Sequence, residues 1–489
     1  MKSTPLYPSV KRNIALNTAY QILNMVIPFI TAPYVSRVLG AEGIGIFSYT
    51  SSILAYFTMF SSLGTTSYGI REISRVRDNR QLLSKLFWEI ELLVICTTSL
   101  CSLLWGIWII VAPEYNIIYL ILSMGLIGVV ADISWFFTGL EQFEYIVIRN
   151  SVVKLVGIIS LFVFIHEEDD LQLYIFIMSL INLLGVLSMW IYVPKLVDKM
   201  DWKSLSIKKH YKETLVYFIP TISISVYTIL NKILLGIIGG DIRENGYYEQ
   251  ANRIIMICQT VTFGSINIVI GSRASYLFAE NKFKEMFLRI DQTLNYILLI
   301  GLGLVAGLVS LSPRFVPWFF GQGFEPVVLL IQLLSPLLII IGISNCLGWQ
   351  YYTPAGLRKQ SARFIIVGAI VNLILNLILI PRFGAVGAVV GSLMAELSIT
   401  ILYFSNCKDF MTLRQIFRNG WRKLTAAVVM FFAVLFVSQE IKDNTLSIFV
   451  SCLIGTIAYC SILLIMHDDF SWQLINLGLR KFAKSNKNG

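Results

Sequence analysis

Charged side chains are scarce in this sequence of 489 residues. They make up 14% of the chain, against 56% hydrophobic residues and a mean hydropathy of +0.72. Soluble domains carry about 25% charged residues, so a chain this poor in charge could not cover a water-facing surface. The apolar residues occur in continuous runs of about 20, the length of a helix that crosses a bilayer. These runs do not alternate with polar residues, which excludes a transmembrane β-barrel and predicts an all-α integral membrane protein.

Several motifs that carry chemistry are missing as well. No GxxxxGK[ST] motif occurs, so the chain has no P-loop for nucleotide hydrolysis. The seven cysteines form no CxxC pair and the chain has only three histidines, so we expect buried thiols rather than a metal or disulfide framework. The predicted outer loops are short, and the longest covers about 312–324. We therefore expect no cofactor and no enzymatic activity.

The hydrophobic runs predict about fourteen transmembrane helices. The predicted spans are 13–36, 43–64, 88–111, 116–138, 145–165, 171–193, 213–237, 249–272, 291–311, 325–347, 361–380, 385–405, 421–438 and 445–466. The first run is too long for a signal peptide and lacks a small-x-small cleavage site, so we interpret it as a retained span.

The distribution of basic residues predicts the orientation. With both termini in the cytoplasm and the span ends approximate to several residues, 30 of the 39 Lys and Arg residues are assigned to cytoplasmic segments and five to outer loops. This alternation follows the positive-inside rule, and it would not survive a missing or an extra span in the middle of the chain. The net charge of +10 is spread over eight inner segments, which favours contact with anionic lipid and excludes a nucleic-acid partner.

The two halves of the chain contain a weak internal repeat. Residues 39–53 and 235–254 both place Leu-Gly at a span end, then a short loop, then a glycine followed by two bulky residues. Gly45 and Gly246 are the matching glycines. The repeat predicts an N-terminal six-helix lobe at 1–200, a C-terminal six-helix lobe at 201–410, and two additional helices with a cytoplasmic tail at 411–489. Many transporters are built from such repeated bundles.

Several segments of the chain resemble a known family in their order and spacing. They are APYVSRVLGAEGIGIFSY (32–49), YGIREISRVRDNRQLLSKLF (68–87), DISWFFTGLEQFEYIVIRNSVVKL (132–155), YTILNKILLG (227–236), ENGYYEQANRI (244–254) and GAIVNLILNLILIPRFGAVGAVVGSLMAE (368–396). In these segments the sequence resembles the Wzx-type oligosaccharide flippases, the polysaccharide-transport branch of the superfamily that also contains the MATE antiporters and the lipid II flippases.

The resemblance implies both a fold and a function. The fold would be two six-helix lobes, related by a pseudo-two-fold axis, around a central cavity. The cargo would be an oligosaccharide repeat unit on undecaprenyl diphosphate, moved across the bacterial cytoplasmic membrane by alternating access that a cation gradient drives. The expected partners are membrane lipids, a polysaccharide polymerase and a chain-length regulator, and the protein itself is expected to be a monomer.

Basic residues within or at the end of spans are candidates to bind the diphosphate. Charge is costly inside a bilayer, so such residues face a wet cavity or reach the membrane surface. They are Arg37, Lys154, Lys232, Arg253 and Arg273. Snorkelling to the interface is the structural alternative for those near span ends, whereas Lys154 lies deeper in its span.

Carboxylates within spans are candidates for ion coupling. Glu396 lies near the middle of the twelfth span and Asp132 in the inner third of the fourth; Glu89 and Glu91 lie near the inner end of the third. A buried carboxylate can take up and release a proton, or can form a structural ion pair. Glu396 and Asp132 are the coupling candidates.

Aromatic side chains near the span ends are expected to anchor the helices at the membrane surface. Trp135 and Tyr227 are the candidates to stack on sugar rings.

Two other functions remain open on the sequence alone. A MATE-like antiporter of drugs or small molecules would share the fold. A membrane-embedded polysaccharide polymerase or glycosyltransferase usually has a sizeable outer loop with catalytic residues, and the predicted loops are too short for one.

Overall fold

A computed structural model describes residues 10–199, 205–264, 274–407, 410–473 and 476, and every regular element among them is helical. Ten helical stretches of this part of the chain are long and apolar enough to cross a membrane. One of them, Arg358–Ser405, contains two predicted spans, and another, Val26–Val76, contains the second predicted span and the end of the first. The seventh and eighth predicted spans are helical but more polar, and residues 265–272 of the eighth lie outside the described residues. The predicted all-helical, multi-pass membrane architecture is confirmed.

The chain divides into two compact units, residues 1–237 and 238–489. The helices of unit 1 are α1 (Val10–Ser62), α2 (Thr65–Val76), α3 (Arg80–Val111), α4 (Asn116–Leu122), α5 (Met124–Ala131), α6 (Ser134–Gly139), α7 (Phe143–Phe164), α8 (Leu171–Ser188), α9 (Val193–Leu196), α10 (Lys208–Thr228) and α11 (Leu230–Ile238). The predicted division into two lobes and a C-terminal pair stays a prediction.

Unit 1 is organised around α1 and α3. Helix α1 packs against α3, α5, α7 and α8, and α2 packs against α3 and α6. Lipid tails are as apolar as the helices, so close fit rather than escape from water holds such helices together. Gly185 on α8 provides this fit, because a Cβ there would lie 2.3 Å from Cγ2 of Val153 on α7.

The helices of unit 2 are α12 (Ile242–Gln259), α13 (Phe283–Phe320), α14 (Pro326–Leu334), α15 (Leu337–Leu347), α16 (Arg358–Ser405), α17 (Leu413–Glu440) and α18 (Asn444–Ile465). The last two helices pack against α13. Ala426 and Met430 on α17 and Tyr459 on α18 form their apolar core, and the Tyr459 hydroxyl donates a hydrogen bond of 2.7 Å to the Leu299 carbonyl.

Glycines with positive φ interrupt the two longest helices. Gly40 kinks α1 at φ +63°, and Gly384 kinks α16 at φ +54°. Other residues adopt this backbone only with strain. Beside the second kink, the Ala385 amide donates a hydrogen bond of 2.7 Å to the Glu244 carboxylate. A Cβ at position 384 would lie 2.6 Å from that carboxylate, so glycine is required both by the backbone and by the contact.

A buried polar network attaches the segment before α10 to the body of unit 1. The Glu89 carboxylate accepts hydrogen bonds from the Ser206 amide at 2.9 Å and from His210 Nε2 at 2.9 Å, and Lys209 Nζ lies 2.7 Å from it. On the other side of the ring, the Tyr68 hydroxyl lies 2.6 Å from His210 Nδ1. A neutral imidazole protonated on Nε2 satisfies both contacts, because its Nδ1 can then accept the hydroxyl proton.

A second buried network ties α17 to the end of α18 and to α13. The Lys423 side chain is 1% exposed and its Nζ lies 3.0 Å from the Asp468 carboxylate. The same ammonium donates to Asn295 Oδ1 at 3.0 Å and to the Asn419 carbonyl at 2.7 Å. Three oxygen partners therefore satisfy the three N–H bonds of the lysine.

The first network predicts a pH-dependent attachment of residues 205–210. Burial lowers the pKa of His210 from its ordinary value of 6.5, against the opposing effect of Glu89. Because the pKa of His210 is lower in the attached segment than in the detached one, the neutral imidazole stabilises attachment at pH values above the ordinary pKa. This stabilisation is lost as the pH falls through the lowered pKa of the attached state. Hydrogen exchange of this segment, corrected for intrinsic rates, should therefore become faster as the pH is lowered from 7.5 to 5. These two pH values lie on either side of the ordinary histidine pKa of about 6.5.

Two variants control this experiment. His210→Gln should exchange at one rate throughout the pH range, whereas Lys209→Gln, which removes only an exposed partner, should keep the pH dependence. Equal protection of the wild-type segment at both ends of the range would contradict the assignment.

The second network predicts a large loss of stability when only one partner is removed. Asp468→Asn leaves the Lys423 charge buried without its counter-ion, which costs about 3–5 kcal/mol. Thermal unfolding in detergent should show this as a marked fall in Tm. The double variant Lys423→Met/Asp468→Leu replaces the pair by apolar groups and should unfold close to the wild-type temperature. A single variant as stable as the wild type would show that the ion pair is not buried.

Candidate functional site

A cavity of about 500 Å³ lies within unit 1. Its polar lining consists mainly of hydroxyl groups, with one carboxylate and one indole. The polar and aromatic lining residues are Thr58, Ser62, Thr65, Thr66, Asp132, Trp135, Thr221, Ser225 and Thr228. A site lined in this way can exchange hydrogen bonds with a polyhydroxylated ligand, because each hydroxyl both donates and accepts.

The cavity owes its shape to a break in the fourth predicted span. The backbone leaves the helix at Asp132, where φ is −83° and ψ is 94°, and α6 begins two residues later. The Ser134 amide donates a hydrogen bond of 3.0 Å to Asp132 Oδ1, which satisfies a donor that the break would leave open. Irregular backbone at membrane depth is tolerated where it lines a cavity, as it does here.

Asp132 is not an isolated carboxylate. Arg149 Nη1 on α7 lies 3.6 Å from Asp132 Oδ1, and the same guanidinium donates from Nε to Asn150 Oδ1 at 2.9 Å. The Asp132 side chain is 43% exposed, so it faces the cavity while it pairs with the arginine. Sequence analysis did not identify Arg149 as a site residue, since nothing in the spacing of residues 132 and 149 shows that α7 returns beside the break.

Trp135 is held rigidly at the cavity wall. Its ring stacks on Phe87 with a centroid distance of 5.7 Å and an angle of 23°. Gly69 on α2 lies directly against it, because a Cβ at that position would be 2.5 Å from Cε3 of the indole. The predicted sugar-stacking residue therefore lies at the cavity, although most of its surface is covered by protein. The side chain of Tyr227, the second such candidate, lies outside the described part of the structure.

Two neighbouring carboxylates on α3 have opposite environments. Glu89 belongs to the network with Lys209 and His210, whereas Glu91 Oε1 is buried without a hydrogen-bond partner. Glu91 is 1% exposed. Sequence analysis identified both as carboxylates near a span end and could not tell them apart, because the difference depends on the segment before α10.

The predicted phosphate-binding cations are distributed over both units. In unit 1 Arg37 is exposed, and Lys154 and Lys232 are half-buried. In unit 2 Arg253 lies one turn from Glu249, and their charged groups are 3.3 Å apart. Arg273 lies outside the described residues. None of the four described cations lines the 500 Å³ cavity, so their role as a substrate site stays a prediction.

Glu396 is buried in the second half of α16, in unit 2. The same helix carries two buried amides one turn apart, and Asn376 Nδ2 donates to Asn372 Oδ1 at 3.1 Å. Gly391 makes room for them, since a Cβ there would lie 2.2 Å from Asn376 Oδ1. No group of three or more His, Cys, Asp or Glu side chains with metal-binding geometry occurs among the described residues.

Comparisons with known proteins identify relatives over most of the chain. A protein of Escherichia coli (strain K12) described as "Putative O-antigen transporter" is 27% identical over 404 residues, which cover 81% of this chain and 95% of that protein. A protein of Shigella dysenteriae with the same description is 25% identical over 406 residues, which cover 82% of this chain and 100% of that protein.

One solved structure shares the fold. It is the "Lipid II flippase MurJ, inward closed conformation", with a TM-score of 0.70 and 14% identity over 93% of this chain and 99% of that one. At this identity the likeness shows the fold alone. The family model of the polysaccharide biosynthesis proteins matches residues 10–270, which is more than half of the chain. The chain therefore belongs to the polysaccharide biosynthesis protein family.

Proposed function

We propose that this protein is a flippase that moves undecaprenyl-diphosphate-linked oligosaccharide repeat units across the bacterial cytoplasmic membrane, for the synthesis of a surface polysaccharide. The observation that carries the proposal is the hydroxyl-lined cavity within a membrane-embedded member of the polysaccharide biosynthesis family. The names of the two bacterial relatives, which describe O-antigen transporters, support the same class of cargo.

The physical problem of such a reaction explains the lining. The lipid tail can remain in the bilayer, whereas the sugars and the diphosphate lose their hydration if they enter it. A hydroxyl that leaves water without a new partner costs about 1–3 kcal/mol in proteins. The threonines and serines of the cavity supply such partners. Trp135, the predicted sugar-stacking residue, lines the cavity with its ring covered by Phe87 and Gly69, so stacking on a sugar requires that packing to open.

The diphosphate requires cations. We assign this role to Arg37, Lys154, Lys232, Arg253 and Arg273. Arg253 carries a guanidinium that binds phosphate oxygens in a bidentate manner, while the lysines act as point charges. The ion pair of Arg253 with Glu249 holds the guanidinium in place before the substrate arrives, and phosphate then competes with that carboxylate.

The remaining features of the proposal follow from the sequence. Both termini lie in the cytoplasm, as the basic loops indicate. The protein acts as a monomer, catalyses no covalent reaction, and passes its cargo to a polysaccharide polymerase and a chain-length regulator. Movement proceeds by alternating access and is coupled to a cation gradient, with Glu396 and Asp132 as the carboxylates that respond to the ion.

Deletion of the gene should abolish the surface polysaccharide and leave lipid-linked repeat units on the cytoplasmic leaflet. A plasmid copy should restore the polymer. In the same assay Lys154→Gln and Arg253→Gln should lower export about tenfold each, because a charged hydrogen bond contributes about 1.5 kcal/mol and a factor of ten corresponds to about 1.4 kcal/mol. The readouts are polymer yield and the amount of lipid-linked unit accessible from each leaflet.

Lys195→Gln is the matched control, since this lysine is exposed on the short helix α9, and the variant should export normally. A deletion strain that has no second copy of such a gene and still makes normal polysaccharide would overturn the proposed function.

A further inference from the structure

Glu91 stands out among the carboxylates of unit 1 because no described side chain compensates its charge. The side chain is 1% exposed and its Oε1 has no hydrogen-bond partner. Glu89, on the same helix and equally buried, accepts from an amide and from His210 and lies against a lysine. The two residues therefore differ in their surroundings and not in their depth.

No counter-ion for Glu91 comes from the described side chains of the elements that pack against α3. The titratable groups among those side chains are Tyr34, Arg37, Glu42, Tyr49 and Tyr56 on α1, Tyr68, Arg71, Glu72 and Arg75 on α2, Glu114 and Tyr115 in the turn before α4, Tyr119 on α4, and Lys208, Lys209, His210, Tyr211, Lys212, Glu213 and Tyr217 on α10. Helix α5 carries none, and α1 carries no charge from residue 43 to its end.

Several basic residues of these elements pair with other carboxylates. Lys209 and His210 contact Glu89, and Arg71 lies 3.1 Å from Glu72. A second carboxylate, Asp132, lines the same cavity as Val94, which lies one turn from Glu91 on α3. Arg149 in turn lies 3.6 Å from Asp132.

An ionised carboxylate in such surroundings is unstable. Burying a charge without a partner is so costly that the group neutralises instead, and for a carboxylate this means that it binds a proton. The negative charge of Asp132 strengthens that tendency, because two neighbouring carboxylates do not both ionise readily.

The cavity gives this proton a route. Val94 lies one turn from Glu91 on the same face of α3, and both Val94 and Asp132 line the 500 Å³ cavity. That volume is far larger than the roughly 15 Å³ that one water needs, and its hydroxyl lining supplies hydrogen-bond partners for water. Water in the cavity can therefore deliver a proton close to the carboxylate and remove it again.

We propose that Glu91 is a proton-binding site, and that binding and release of a proton at its carboxylate couple transport to the proton gradient. The proton comes from hydronium in the cavity and forms an O–H bond on the carboxylate; release breaks that bond and returns the proton to water. Asp132 sets the field at Glu91, and Arg149 tunes that field by pairing with Asp132.

This arrangement links the proton to the cargo, a step that rests on the proposed function. A phosphate that attracts Arg149 away from Asp132 leaves the negative charge of Asp132 uncompensated, and Glu91 then holds its proton more firmly. By linkage, the protonated form binds the phosphate more tightly. Return of Arg149 to Asp132 favours release of the proton.

Infrared spectroscopy of the purified full-length protein in lipid nanodiscs tests the proton site without any substrate. At neutral pH the wild type should show the C=O band of a protonated carboxyl group, and Glu91→Gln should lack it. Glu141→Gln is the matched control, because this carboxylate is exposed and paired with Arg77, and its band pattern should equal the wild type. Asp132→Asn should release the proton more readily and Arg149→Gln less readily than the wild type.

Glu91→Gln keeps the size of the side chain, and its thermal unfolding should match the wild type. If that variant does not fold, the test rests on the effect of Asp132→Asn on the carboxyl C=O band relative to the wild type. A neutral-pH carboxyl band that is unchanged in a folded Glu91→Gln, or unaffected by Asp132→Asn, would overturn the proposal.

Transport in vesicles separates this proposal from the proposed function. With lipid-linked repeat units extracted from the deletion strain, the wild type should move its cargo several-fold faster with a pH gradient than without one, and Glu91→Gln should move it at one rate in both conditions. A Glu91-specific band in a protein that transports none of this lipid supports the proton site and overturns the flippase. A protein that transports the lipid with equal gradient dependence in wild type and Glu91→Gln supports the flippase and overturns the coupling role of Glu91.

Discussion

Every polar group that this chain places inside the membrane must find its partner within the protein, because lipid offers none. The breaks in the helices show how this is done. Where the fourth span leaves the helix, the Asp132 carboxylate accepts the freed Ser134 amide, and where α16 kinks, the Glu244 carboxylate accepts the Ala385 amide. At these two breaks a carboxylate lets the backbone depart from the helix without an unsatisfied donor.

The need for a partner within the protein also divides the acidic side chains into two groups with different roles. Those with cationic or amide partners, such as Glu89 and Asp468, fix the positions of segments that would otherwise be held only by apolar contact. Those without a cation are costly in a bilayer, and such residues mark functional positions in membrane proteins. In unit 1 this difference separates Glu89 from Glu91, which lie on the same helix and are equally buried. The neighbouring segments, rather than the depth of the residue, therefore determine the role of each carboxylate.

Hydropathy and charge predicted the helical architecture well, since span length and the cost of charge in lipid are local properties of the sequence. Pro336 falls between α14 and α15, where its missing N–H suits a break. The contacts that define the cavity could not be predicted from the sequence, because they join segments that are distant along the chain. Arg149 pairs with Asp132, and Gly69 leaves room for the ring of Trp135. Arg37, Lys154, Lys232 and Arg253 could be identified as buried or interfacial charges, but no pattern in the sequence indicates which of them face the same space.

The kink at Gly384 is connected to a predicted substrate-binding residue. The two halves of α16 are joined without a loop, and the non-helical backbone angles between them are those of Gly384. The Glu244 carboxylate, in the first turn of α12, accepts the hydrogen bond at this kink, and Arg253 lies nine residues further along the same helix, about 13 Å away at 1.5 Å per residue. One continuous helix therefore connects the kink of α16 to the guanidinium of Arg253.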